Sequence, residues 1–141
     1  EIDPSYADGH GIQGWVLSHM GESDRAIAAI DQARRLHPQT NFVYETITGH
    51  AHFLAKRFEK AEVALKKALA VNPGFDATHV LLAATLAHAG RIDEAEWHIL
   101  EALSNRPEMT LASEREDVPH LRQADRDYFI EGLRLAGLPE Q

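Results

Sequence analysis

The chain has 141 residues, 22 of them acidic and 14 basic, for a formal charge of −8 at pH 7, and 44% of its residues are hydrophobic. That is the size and apolar content of one ordinary folded domain. The absence of cysteine excludes a disulfide framework, a thiolate metal site and a thiol nucleophile, and makes a reducing, cytoplasmic setting the default expectation. The most apolar stretch, Val80 to Ala87, falls far short of the ~20 residues of a membrane-spanning helix. An excess of acid argues against nucleic acid as a partner, since such a binder needs a concentrated basic face.

In chain order, Glu1-Ile2-Asp3-Pro4 comes first. It is a counterpart of Ala70-Val71-Asn72-Pro73 and reads as the tail of a preceding repeat in a longer protein. A helix carrying Gly14 and Trp15 follows and stops at Gly21, because glycine readily takes the left-handed conformation that closes a helix. The next helix is expected to start from a cap at Ser23 or Asp24, to carry Ala26, Ile30 and Ala33 on one stripe, and to end by Pro38. A second pair holds Gly49, turns at Lys56-Arg57-Phe58 without a glycine, and carries Ala61, Leu65 and Ala68 before Pro73. In the third pair His79, Leu82, Ala83 and Leu86 make one stripe and Gly90 stops it. Arg91-Ile92-Asp93-Glu94 then places carboxylates at the positive start of a helix. Ile92, Ala95, Ile99, Ala102 and Leu103 form its stripe, ended by Pro107. Beyond Pro107, Glu108 to Asp117 reads as a polar, acidic loop punctuated by Val118-Pro119. A last amphipathic helix is expected from Ala124 to Leu135, with Tyr128, Phe129, Leu133 and Leu135 on its apolar side and Gly137 and Pro139 as its stop.

These elements obey one ruler. Pro4, Pro38, Pro73 and Pro107 are spaced 34, 35 and 34 residues apart. Ala26, Ala61 and Ala95, then Ala33, Ala68 and Ala102, then Gly14, Gly49 and Ala83, keep the same offsets, as do Ile30, Leu65 and Ile99. A chance proline period would not carry three sets of small residues with it. Small side chains let two helix axes approach toward the near end of the usual ~8–10 Å, so the pattern predicts Gly14 against Ala26, Gly49 against Ala61 and Ala83 against Ala95. A helical pair cannot bury both apolar faces alone, so pairs must stack.

With small residues at the eighth position, alanines at the twentieth and twenty-seventh and proline near the thirty-second of each period, the chain resembles the tetratricopeptide repeat family. The resemblance covers roughly residues 1 to 107 and implies an all-α, right-handed superhelical solenoid of helix-turn-helix repeats. The repeats would fall at 5–38, 39–73 and 74–107, preceded by the repeat end 1–4 and followed by an acidic loop and capping helix over 108–141. Phe58 and Ile92 suit the seventeenth position and Ser23 does not; His10, Glu45 and His79 stand where the family favours tryptophan, and Gln13 and Thr48 replace an expected leucine. By the same analogy the inner surface receives Trp15 and His19, then Val43, Thr46, His50 and Phe53, then Val80 and His88. These residues are the candidate groove, for a protein or peptide partner of unknown identity. Family members that clamp the acidic tails of chaperones carry lysine, asparagine and arginine where this chain has Gly11, Trp15, Thr46, His50, Val80 and Ala84, so that clamp is not expected. The tail, Ala124 to Asp127 and then Phe129 to Glu140, resembles the ending of bacterial proteins in which such repeats follow a class III adenylate or guanylate cyclase domain, or a winged-helix regulator domain. That implies a C-terminal regulatory or scaffolding segment of a signalling protein.

Up to Asn72 the net charge is −1, and after it −7, with all four lysines between Lys56 and Lys67. Nine histidines raise the question of metal, but His50 and His52 are two apart and His-Glu-x-x-His is absent. His19, His50 and His88 read as exposed side chains, as part of an apolar groove, or as a metal- or pH-sensing cluster. Trp15 has a plainer alternative, packing against an upstream repeat. There is no Gly-rich phosphate loop and no Gly-x-Ser-x-Gly elbow, so no catalytic residue, cofactor or metal is expected. The two function classes left are an interaction module and a homo-oligomerisation or spacer element; a small-ligand sensor is a weaker third.

Overall fold

The computed structural model describes residues 4–38, 42–118 and 121–141. Among them every regular element is an α-helix, as the 3.6-residue stripes predict. The helices fall into two compact units, residues 1–72 and 73–141.

The first unit holds α1 (Pro4–His19), α2 (Ser23–Leu36), α3 (Phe42–Leu54) and α4 (Phe58–Val71). α1 pairs with α2 and α3 with α4 in antiparallel hairpins, and α2 also packs on α3. The reason for the glycines is visible at the pair contacts. A Cβ placed on Gly14 would lie 2.6 Å from Ile30 Cδ1 and 3.3 Å from the Ala26 carbonyl oxygen. One placed on Gly49 would lie 2.5 Å from both Cγ and Cδ2 of Leu65. The in-phase large residue, more than the in-phase alanine, is what each glycine makes room for. Ile30, Leu65 and the alanines Ala26, Ala33, Ala61 and Ala68 are all fully or almost fully buried. Their burial follows from one stripe per second helix, whereas α3 is buried on nearly all sides. Leu17, Ala26, Ala29 and Ala51 form one core cluster and Ile30, Ala33, Tyr44 and Ile47 another, so α2 is sandwiched between α1 and α3.

The turns are as periodic as the sequence. Glu22 N–H donates to Leu17 O, Arg57 to His52 O and Arg91 to Leu86 O, at 2.8–2.9 Å, each closing a Schellman turn around a left-handed residue. Gly21 and Gly90 take that place with φ of 77° and 85°; in the middle pair Lys56 takes it, at φ 62°. Because each turn runs straight into the next helix, the residue before it is Glu22, Arg57 or Arg91, none with a side-chain cap. The expected cap at Ser23 or Asp24 is therefore absent: Ser23 is already in the helix. The opposite ends are alike too. His37, Asn72 and Arg106 donate their N–H to Ala33, Ala68 and Ala102 at 2.9 Å, and the proline that follows each has no N–H to continue the helix. Pro4 departs from this pattern, since it opens α1, where a fixed φ and a missing donor suit a helix start. Residues 1–3, taken as a repeat tail, lie outside the described residues.

The second unit holds α5 (Asp76–His88), α6 (Ile92–Asn105), α7 (Leu111–Asp117) and α8 (Gln123–Leu135). Every residue of α5 from Thr78 to Ala87 is buried, as are Ala83, Ala95, Ile99 and Ala102 at the α5–α6 contact. The expected polar loop before α8 differs from the structure: it contains α7. Thr110 and Ser113 close a reciprocal capping box at its start. Its first donors are met by the end of the chain, since Leu111 and Ala112 donate to the Pro139 and Glu140 carbonyls at 2.8 and 3.1 Å. Gly137, at φ 98°, turns the chain after α8, and Leu138 N–H reaches Leu133 O at 3.1 Å, the same turn a fourth time. Met109, Leu111, Leu121, Leu133 and Leu138 are buried. Pro119, read as punctuation, lies outside the described residues.

Two stability changes follow. Gly49→Ala should destabilise the chain by about 1–3 kcal/mol, because the added methyl group would overlap Cγ and Cδ2 of the fully buried Leu65. A chemical-denaturation midpoint that moves by less than about 0.5 kcal/mol would contradict the packing. Lys56→Gly should stabilise it by about 1 kcal/mol, since a left-handed residue with a Cβ is strained; an unchanged or lower midpoint would contradict that.

Candidate functional site

In the first unit three of the groove candidates meet. Trp15 and His19 stand one turn apart on α1, and the imidazole of His19 packs under the indole with centroids 3.9 Å apart. His50, from α3, stacks on His19 at 4.4 Å with the rings 20° from parallel. Both histidines are buried, while Trp15 is 45% exposed. His19 Nδ1–H donates to the Trp15 carbonyl at 2.9 Å, which fixes its ring, and His50 Nδ1 is hydrogen-bonded to the Ser18 hydroxyl. The result is a three-ring cluster: two buried, stacked imidazoles with the half-exposed indole tilted against His19.

The remaining candidates divide. Val43 is exposed, whereas Thr46 is buried and its hydroxyl donates back to the Phe42 carbonyl at 2.7 Å. Phe53 does not lie on an accessible surface: it is 0% exposed, one of the largest fully buried side chains of the chain. Its placement follows from α3, whose burial leaves little of the helix open. In the second unit Val80 is buried. His88 there stacks flat on Tyr128 of α8, 3.7 Å apart and 5° from parallel, and donates from Nε2 to the Tyr128 carbonyl at 2.6 Å. Phe129 is buried as well, so the aromatic pair of the last helix is engaged inside its own unit.

The sequence reading missed three residues around Trp15. Ile12, Val16 and Met20 are 65%, 48% and 54% exposed, and with Trp15 they fall at i, i+3, i+4 and i+8 of α1, one stripe of the helix. Their spacing was available as a signal. From Gly9 to Gly21 there is also no Asp, Glu, Lys or Arg. A second pair of histidines was missed because its members stand on different helices. His79 Nδ1 lies 3.0 Å from His98 Nδ1, and His79 Nε2–H donates to the Pro73 carbonyl at 2.9 Å. That leaves His79 Nδ1 as the acceptor from His98. Trp97 packs edge-on against His98 at 4.9 Å.

Ser18 and His50 make the contact of a nucleophile and its base, but Ser18 is wholly buried, so its hydroxyl serves to join α1 to α3. Among the described residues no three or more metal-ligating side chains gather, and no helix is long and apolar enough to cross a membrane.

His52, on α3, is the titrating group with a clear structural cause. Burial, and then the nearby Arg57 and Lys60 cations, hold its pKa below the ordinary value against a weaker pull from Asp24, and its Nδ1 has no hydrogen-bond partner among the described residues. A lowered folded pKa means that its contribution to stability is complete above about pH 6.5 and is lost as pH falls through the folded value. The protection factors of the α3 amides, which correct for the intrinsic slowing of exchange toward acid, should therefore fall between about pH 7 and pH 5.5, and less so in His52→Gln. An identical pH response in the two proteins would contradict the assignment.

The comparisons agree with this architecture. Residues 52–108 match the tetratricopeptide repeat family. A solved structure described as "MamA RS-1 ArsTM double mutant" has the same fold, with a TM-score of 0.65 and 19% identity over 96% of this chain and 74% of that one. No curated protein matches the sequence. The fold is thus all-α, an array of helix-turn-helix units, and residues 52–108 carry the tetratricopeptide repeat pattern.

Proposed function

We propose that the chain is a non-catalytic protein-interaction module whose partner lays an apolar helical segment over α1, centred on Trp15. One observation carries the reading: the exposed stripe Ile12, Trp15, Val16 and Met20 stands on thirteen consecutive residues without a fixed charge. Depletion of charge around a rigid aromatic anchor is the composition of an interface centre. Its ring contact with the buried His19, 3.9 Å between centroids, supports Trp15 as that anchor, because an indole already held in place loses little freedom on binding. The resemblance of the last residues supports the wider setting, a C-terminal regulatory or scaffolding segment of a bacterial signalling protein with a cyclase-like domain. In this reading the partner is a protein or peptide, with no cofactor and no chaperone-tail clamp.

The same stripe supports a second reading, association of two copies of the chain through α1. Solution mass across a concentration series separates the two. The first reading expects a monomer that, carrying a photo-crosslinker at position 12, links to a different protein. Trp15→Ala should weaken that capture by about 30-fold, the ~2 kcal/mol of a central aromatic. A dimer dissolved by Trp15→Ala would establish the second reading instead, and a monomer whose crosslinking ignores Trp15→Ala would exclude both.

A further inference from the structure

We propose that α8 is a built-in ligand: it occupies a helix-binding face on α5, and the partner this face takes in trans is an amphipathic helix with an aromatic residue four places before a glycine. The proposal rests on reading the chain as an interaction module, but it concerns a different face, within the second unit. Placement is the first argument. In the first unit the helix that follows a pair, α3, packs chiefly on the second helix of that pair and less on the first. Two helices follow the third pair, and α8, the second of them, does the reverse. α8 packs on α5 and barely touches α6, so it does not stand where the first helix of a further repeat would. It covers instead the side of α5 that bears Ala84 and His88, two positions that the family resemblance places on the inner surface.

Fit is the second argument. A Cβ on Gly132 would lie 3.0 Å from both Cα and Cβ of Ala84 and 2.9 Å from His88 Cδ2. A glycine in the middle of a helix costs about 1 kcal/mol against alanine, so close approach to α5, rather than helix formation, accounts for the residue. One turn earlier the Tyr128 ring lies flat on His88, whose Nε2–H donates to the Tyr128 carbonyl. Phe129, Ile130 and Leu133 supply the buried side of α8. This is the helix-in-groove mode, read by anchors a turn apart.

Attachment is the third. Backbone bonds from α7 to Pro139 and Glu140 and the ion pair of Arg115 with Glu140 tie α7 to the tail that continues from α8. The pair α5–α6 is linked to this assembly through Arg106, which donates to Glu114 at 3.1 Å. α7, α8 and the tail therefore form a clasp, and opening such a sub-global unit leaves the α5–α6 hairpin bonds in place.

The test uses the full chain and a labelled peptide of residues 123–138, read by fluorescence anisotropy. Gly132→Leu prevents α8 from seating, so this variant should bind the peptide at least about tenfold more tightly than the unmodified chain, whose face is already filled. A peptide carrying Tyr128→Ala should bind the variant more weakly. Equal binding, or none, to both chains with the α5 and α6 amides still protected from exchange would overturn the proposal. So would loss of that protection both in Gly132→Leu and in a full chain carrying the milder Tyr128→Ala, because α8 would then be core and not ligand. Failure here leaves the reading of Trp15 standing, and an inert Trp15 beside a bound peptide would retire that reading alone.

Discussion

The structure of the first unit depends on one steric fact: the side chains of Ile30 and Leu65 pass into space that a Cβ at Gly14 or Gly49 would fill. Helix pairs are held by non-directional apolar contact, so their spacing is set by the largest atoms at the contact. Removing a single methyl group from the first helix lets a branched side chain from the second reach its backbone, and interiors at native packing density leave no slack for an alternative. With the spacing fixed, the stripe of alanines on each second helix reaches full burial, and α2 can contact α1 and α3 at once.

Turn chemistry is the complement of that packing. A Schellman turn hands the chain from one helix of a pair to the next with three residues, and its 6→1 bond recurs at Glu22, Arg57, Arg91 and Leu138. Such short connections leave little choice but antiparallel neighbours. The fourth instance has a different use, since it sends the tail back along α7, where its carbonyls satisfy donors that a short helix would otherwise leave open. Burial of Glu114 belongs to the same corner: desolvation raises its pKa in spite of its ion pair with Arg106, because burial disfavours the charged carboxylate.

How much of this was legible in the sequence depends on whether the cause is local. Glycines, alanines and prolines on a 34- to 35-residue ruler mark backbone requirements, so the helix pairs and their turns could be read directly. The cap at Ser23 was misread because a tight turn consumes the residues that a free helix start would use. α7 was read as a loop because its capping box ends in Ser113, not an acid or amide, and because part of its support returns from Pro139 and Glu140. The meeting of Trp15, His19 and His50 was legible, because the repeat period places all three on neighbouring helices. The burial of His19, His50, Phe53 and Val80 was not, since burial of a helix face is decided by what packs on it. Gly132, an isolated glycine inside an amphipathic pattern, was the overlooked signal of a close helix contact.

At each pair contact of the first unit, glycine and large aliphatic residue act as one unit. A double-mutant cycle between positions 49 and 65 tests it most directly, with Gly49→Ala, Leu65→Val and the double variant compared by chemical denaturation. Shortening the side chain at 65 makes room for the methyl group added at 49, so the account predicts that the double variant is more stable than the sum of the single effects implies, by about 1 kcal/mol. Additive effects would mean that the two positions do not share the space between α3 and α4, and would contradict it.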